Sequence, residues 1–199
     1  MSLKKSNEIT VKIKCELNEF YKILEKKGFK ITDKFSMNDT YFVPKTLNLN
    51  EMTTRDILAK AVLVRDIIGK FSGRRTKKLI FKIKNFDASG NILSQEAINC
   101  GILDVEDAKK FLKYIGYKEI MEIYEDDIVY EKNGFKLAVK DIRDGDNLFE
   151  SETSDKEEYN TIEKLIKKIN ELELPIYTDN YFVKKAEVEL EKIMKDYLM

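Results

Sequence analysis

The chain has 199 residues, 43% hydrophobic and 36% charged, with 36 Lys plus Arg against 36 Asp plus Glu. That is apolar material for one compact domain, and the zero net charge excludes a bulk field drawn to nucleic acid or an anionic membrane, so any electrostatic function is local. There is no histidine, which excludes Ser-His-Asp and Cys-His nucleophile systems and His-ligated zinc, iron or copper, and leaves oxygen as the ligand for any metal.

Residues 7–14, Asn-Glu-Ile-Thr-Val-Lys-Ile-Lys, alternate with a period of two and predict a strand whose polar row holds Glu8, Thr10, Lys12 and Lys14. Glu16 to Lys27 carries Leu17, Phe20, Tyr21 and Leu24 at helical spacing and stops at Gly28. A strand over Met37 to Pro44 follows, then a loop with a short helix over Leu49 to Lys60. Ala61 to Ile68, Lys77 to Phe86 and Ile92 to Asn99 read as an antiparallel meander with turns at its glycines. Asp104 to Tyr114 is helical in pattern.

The second half has strand patterns over Ile120 to Glu131, Phe135 to Arg143 and Leu148 to Thr153, the first two joined by Asn133-Gly134, a strong hairpin signal. Two helices, Asp155 to Leu172 and Val183 to Tyr197, close the chain on either side of Pro175. Residues 38–45 echo residues 178–185 too briefly to mark a repeat. Cys15 and Cys100 are isolated, as in reduced thiols of a cytoplasmic protein, and no apolar run or signal peptide points to a membrane.

Several strands set charges in rows: Lys82 with Lys84, Lys136 with Lys140, Glu150 with Glu152. Two arrangements fit. In one, a single antiparallel layer turns its charged face to water. In the other, about eight strands roll into a closed barrel whose lumen holds the charges, lysines and arginines taking polyphosphate while carboxylates take a divalent metal. Arg74-Arg75-Thr76-Lys77-Lys78 reads as a basic hairpin tip or as a phosphate-steering loop.

The order of these motifs resembles the CYTH family of triphosphate tunnel proteins, which includes class IV adenylyl cyclases, thiamine triphosphatases and inorganic triphosphatases. The family opens on Glu-x-Glu-x-Lys, and here Glu8 and Lys12 match while Thr10 stands for the middle acid. Asp39-Thr40-Tyr41-Phe42 is similar to the cyclase branch, Arg65 keeps the second arginine of Leu-Arg-Ile-Arg, and Ile80-Phe81-Lys82 keeps a lysine after an aromatic residue. Glu96 is what remains of an acid-rich strand, and Glu150-Ser151-Glu152 is an intact Glu-x-Glu. The family's Lys-x-Arg is replaced by Glu125-Asp126-Asp127, and Lys140 stands where the family has an acid.

The resemblance implies an α+β fold, a closed eight-stranded antiparallel β-barrel with helices outside, spanning residues 1–199 as one domain that includes the helices of about 155–199. It implies substrate contacts at Lys12, Arg65, Lys82, Lys84, Lys136 and Lys140, and Mg2+ or Mn2+ on Glu8, Glu96, Glu150 and Glu152; no catalytic residue is assigned. The expected ligand is a nucleoside or inorganic triphosphate or another small phosphorylated molecule, with no nucleic acid and no membrane, and a homodimer is left open. The chemistry is metal-dependent triphosphate hydrolysis or adenylyl cyclase-type cyclisation. The alternative is a non-catalytic module that senses a phosphorylated metabolite with a degraded active site, to which Thr10 and Glu125 to Asp127 point.

Overall fold

The computed structural model describes residues 8–86 and 92–197, with side chains described outside 84–95 and 196–199. Eight strands form one antiparallel sheet: β1 (Glu8–Lys12), β2 (Lys30–Pro44), β3 (Val62–Gly69), β4 (Arg75–Phe86), β5 (Ile92–Gly101), β6 (Tyr117–Lys132), β7 (Phe135–Ile142) and β8 (Asn147–Glu152). Five α-helices accompany it: α1 (Leu17–Lys26), α2 (Thr54–Leu58), α3 (Val105–Tyr114), α4 (Ile162–Glu171) and α5 (Lys185–Tyr197). No helix among the described residues is long and apolar enough to cross a membrane.

The strand order is β1-β8-β7-β6-β2-β3-β4-β5. The α+β antiparallel sheet is as expected, but closure is not formed: β1 and β5 end the order, and no pairing joins them among the described residues. The outer edge of β1 is occupied instead by the segment before α5, in which Val183 N donates to Thr10 O, Thr10 N to Tyr181 O and Tyr177 N to Lys12 O, at 2.9, 3.1 and 2.9 Å. A strand edge must find partners for its N–H and C=O groups, and here the chain's own tail supplies them. The echo of residues 38–45 therefore lies in the strip that caps β1.

The alternation read from the sequence sorts the two faces. On the outer face Ile9, Val11, Tyr130, Leu137, Val139 and Phe149 pack under Phe20 and Leu24 of α1 and Leu165 and Ile169 of α4. Each such side chain contributes about 1.5–3 kcal/mol when fully buried, which fixes the register of β1 and β6–β8. Further along, Ala108 and Leu112 of α3 cover Phe42 and Val64. Gly28, at φ +85, ends α1 in the left-handed conformation expected of a C-terminal glycine.

Two boundaries differ from the sequence pattern. β2 begins at Lys30 rather than Met37, because it pairs with β6 along its whole length and takes up mixed polar residues with a register shift between Ile31 and Asp33. The predicted helix over 155–172 divides into a single 3-10 turn (Glu157–Tyr159) and α4, since the Thr161 side chain accepts from Lys164 N and starts a new helix there.

Candidate functional site

Directly opposed residues on paired strands share a face. The registers therefore gather one row set on the inner face: Glu8, Thr10 and Lys12 of β1 with Glu152 and Glu150 of β8; Lys136 and Lys140 of β7; Asp127 and Glu125 of β6. The set continues through Asp39 of β2, Arg65 of β3, and Lys78 and Lys82 of β4. Thr10, Asp39, Glu125, Asp127 and Lys140 are all buried, so this charged face is curled inward. One end of it is filled by apolar side chains, with Leu190 of α5 and Ile57 of α2 packed on Tyr41, Leu63, Ile80, Met121, Ile142 and Leu148.

Lys140 is the centre of the charged end. Its ammonium lies 3.2 Å from Glu150 Oε2, 3.5 Å from Asp127 Oδ2 and 3.7 Å from Glu125 Oε1. Lys185, the first residue of α5, donates to the other Glu125 oxygen, Oε2, at 2.7 Å. Burial opposes the charge on Lys140, but Glu150, Glu125 and Asp127 more than offset it and hold the ammonium protonated. Burial pushes Asp127 up to about 7, with Lys140 pulling it back and Glu125 pushing it further. Glu150 is likewise pushed up to about 7 by burial, restrained by Lys140 and raised again by Glu8, whose carboxyl shares a hydrogen bond with it. Glu8, Glu125, Asp127 and Glu150 thus face two ammonium groups, and Asp127 and Glu150 keep their protons to higher pH than exposed carboxyls do.

The second ion pair is cleaner. Arg65 Nε and Nη2 donate to the two oxygens of Asp39, both at 2.6 Å. Burial raises Asp39, but the guanidinium, Lys185 and Lys82 more than compensate and hold it below the usual carboxylate range. The same fork holds Arg65 above its ordinary value against its own desolvation. The inner face therefore has a mainly basic wall, with Arg65, Lys78 and Lys82 on β3–β4, and a mainly acidic wall on β6, β8 and β1.

The expected site residues distribute unevenly over this frame. Arg65, Lys82 and Lys140 are on the inner face, Lys140 as the partner of acids rather than as an open anion contact. Lys136 is exposed at its rim, 3.6 Å from Glu131. Lys12 pairs with Asp146 at 2.7 Å and opens into a groove of about 910 Å³ with Lys14, Tyr177 and Asp179. The side chain of Lys84 lies outside the described residues.

Of the expected metal ligands, Glu8, Glu150 and Glu152 come together: Glu8 is opposed to Glu152 across β1 and β8, and its carboxyl meets that of Glu150. Glu96 does not join them. It is opposed to Ile83 on β5 and exposed, on the other face and at the far end of the strand order. Oxygen ligands are present in number, yet among the described residues no three acids are arranged to hold a metal ion. The buried oxygens converge on Lys140 instead. Thr10, in place of the family's middle acid, donates its hydroxyl to Glu8 Oε1 at 3.2 Å. Arg75, in the basic hairpin, forks onto Asp66 on the outer face.

Sequence reasoning missed Lys185. It sits on a helix separated from the barrel motifs, and nothing in its local pattern distinguishes it from the other lysines of α5. Lys185→Ala leaves Glu125, among the described residues, with the ion pair to Lys140, and is expected to cost about 1–3 kcal/mol, the range for leaving a buried hydrogen-bond acceptor unsatisfied. Urea denaturation at pH 7 checks this; an unchanged midpoint would mean that α5 contributes nothing to the charge balance.

No family model and no curated protein matches the chain. Solved structures do. The PH1819 protein of Pyrococcus horikoshii superposes with a TM-score of 0.65 at 21% identity, covering 93% of this chain and 99% of that one. A candidate adenylate cyclase of Vibrio parahaemolyticus gives 0.59 at 13% identity, covering 98% and 99%. A conserved hypothetical protein of Pyrococcus furiosus gives 0.58 at 19%, covering 88% and 98%. At these identities the likeness is one of fold, an eight-stranded antiparallel α+β sheet of the kind the CYTH resemblance implies, without the closure of the barrel.

Proposed function

We propose that the chain binds a polyphosphate-bearing small molecule on the inner face of its sheet, as a binding or sensing module. The observation that carries this reading is the division of that face: a basic wall of Arg65, Lys78 and Lys82, set against an acidic wall partly neutralised by Lys140 and Lys185. Phosphate oxygens take charge-assisted hydrogen bonds from the basic wall. The adenylate cyclase description of one structural neighbour supports a nucleotide-type ligand.

Isothermal titration with tripolyphosphate, ATP and thiamine triphosphate tests it. Saturable binding is expected with at least one of them, weakened about tenfold, or 1.4 kcal/mol, by Lys82→Ala. No heat of binding from any of the three would sink the reading.

A second reading, metal-dependent triphosphate hydrolysis or adenylyl cyclase-type chemistry, is favoured by one observation, the meeting of the Glu8 and Glu150 carboxyls beside Glu152. For that chemistry Glu8, Glu150 and Glu152, which are not at metal-binding spacing here, must draw together on magnesium or manganese, which would supply charge neutralisation of the phosphates. Phosphate release and cyclic-AMP formation, measured with each metal, separate the two readings. Turnover that disappears in Glu150→Ala plus Glu152→Ala establishes the enzyme; binding without turnover establishes the module.

A further inference from the structure

We infer that the ammonium of Lys140 is the resident cation of this chamber and stands where a divalent metal would otherwise be held. Three carboxylates from two strands, Glu125 and Asp127 of β6 and Glu150 of β8, converge on Nζ at 3.2–3.7 Å. Carboxylate oxygens from separate strand positions are the usual ligands of a hard divalent ion, and here they stand apart around an ammonium rather than at metal-binding spacing. The centre of the group is a covalently tethered monocation. Glu125 Oε1 and Asp127 Oδ1 have no hydrogen-bond partner although both residues are buried, so lone pairs remain that the lysine does not satisfy.

The second cation, Lys185, pairs with Glu125 at 2.7 Å and reinforces the exclusion. A divalent ion entering beside Lys140 would meet two ammonium groups in a buried site and would have to displace one of them. Removing the Lys140 side chain reverses the situation. From 3.2–3.7 Å the oxygens would need to close in by about 1.1–1.7 Å to reach the roughly 2.0–2.1 Å at which magnesium is held, a movement within the reach of side-chain rotation.

The inference on the cation stands apart from the polyphosphate reading, because its test uses manganese alone. Electron paramagnetic resonance of free Mn2+ is followed on titration with wild type, Lys140→Ala, Lys140→Gln, and Lys140→Ala combined with Glu150→Gln. Wild type is expected to remove no stoichiometric Mn2+ from solution. Lys140→Ala is expected to bind one ion per chain, at least tenfold more tightly than wild type, and the added Glu150→Gln to abolish the gain. Its melting temperature is expected to fall in EDTA and to recover in Mn2+.

Stoichiometric uptake by wild type that Glu150→Gln removes would overturn the inference, as would a folded Lys140→Ala or Lys140→Gln with no gain. If neither variant folds in EDTA, refolding in Mn2+ decides: recovery supports the inference, and failure in Mn2+ as well overturns it. A wild type that takes up no Mn2+ and binds no polyphosphate would sink the proposed function while leaving this inference intact.

Discussion

Replacing Lys140 by Met is expected to destabilise the protein by about 3–5 kcal/mol at pH 8, the range for deleting one partner of a buried ion pair. The cost falls on the acids left behind. Lys140 lies within 3.7 Å of three carboxylates, and of these Glu125 keeps, among the described residues, its ion pair with Lys185. Asp127 and Glu150, already pushed up to about 7, would then rise further.

The direction of the pH dependence follows. A carboxyl whose folded value is raised binds a proton in the folded chain that the unfolded chain releases, so its contribution to stability is present below about pH 4 and is lost as the pH climbs through the raised value. Wild type is accordingly expected to lose stability between about pH 5 and 8. Lys140→Met should lose more, with its losses extending to higher pH, so that the variant is closest to wild type at pH 5. The groups facing this titration are Glu8 on β1, Glu125 on β6, and Lys140 and Lys185. Urea midpoints at pH 5, 6.5 and 8 measure both chains; a deficit of equal size at all three would show that the acids do not titrate against Lys140.

The fold was legible in the sequence to the extent that it depends on alternation and on turn chemistry. Ile9, Val11 and Ile13 face the core under α1 and α4 as the period of two requires, and Asn133-Gly134 joins β6 to β7 with both residues at positive φ. The fate of the barrel's seam was not legible, because it turns on the strip from Pro175 to Val183, whose backbone rather than its side chains bonds to β1. Backbone pairing of an irregular segment leaves no periodicity to read.

The site was legible by row but not by partner. Glu8, Glu150 and Glu152 fall on one face because all three have even numbers on strands paired without a bulge. Glu96 is also even-numbered, but it is opposed to Ile83, so it falls on the outer face. That parity is set by the connection from β4 to β5 and a register shift near Asn85, which no count along a single strand reveals. Lys12 follows the row yet finds Asp146 in the turn before β8, a partner that only the folded loop brings near.

Two of the departures from the pattern that the resemblance implies fall on paired positions of β6 and β7. Where the resemblance implies bases on β6 and an acid on β7, this chain has Asp127 and Lys140, and those two are direct cross-strand partners. A reciprocal exchange of sign preserves the ion pair while reversing its direction. Asp127 and Lys140 therefore each face an opposite charge across the strands, and the buried cation of this pair is on β7.

This makes Asp127→Lys with Lys140→Glu the most informative pair of substitutions. Each alone is expected to cost about 3–5 kcal/mol, since one crowds three lysines together and the other places four acids against Lys185. Together they keep the net charge and the cross-strand pairing, so the double variant should be more stable than the sum of the single losses predicts by at least about 2 kcal/mol, a coupling within the range seen for residues in one charge network. The double variant also returns an acid to β7 beside Glu8 and Glu150 but leaves an ammonium at position 127, so no uptake of Mn2+ is expected there, unlike Lys140→Ala. A thermodynamic cycle with no coupling would show that Lys140 is held chiefly by Glu150 across β8; uptake of Mn2+ by the double variant would show that an ammonium at position 127 does not exclude the ion.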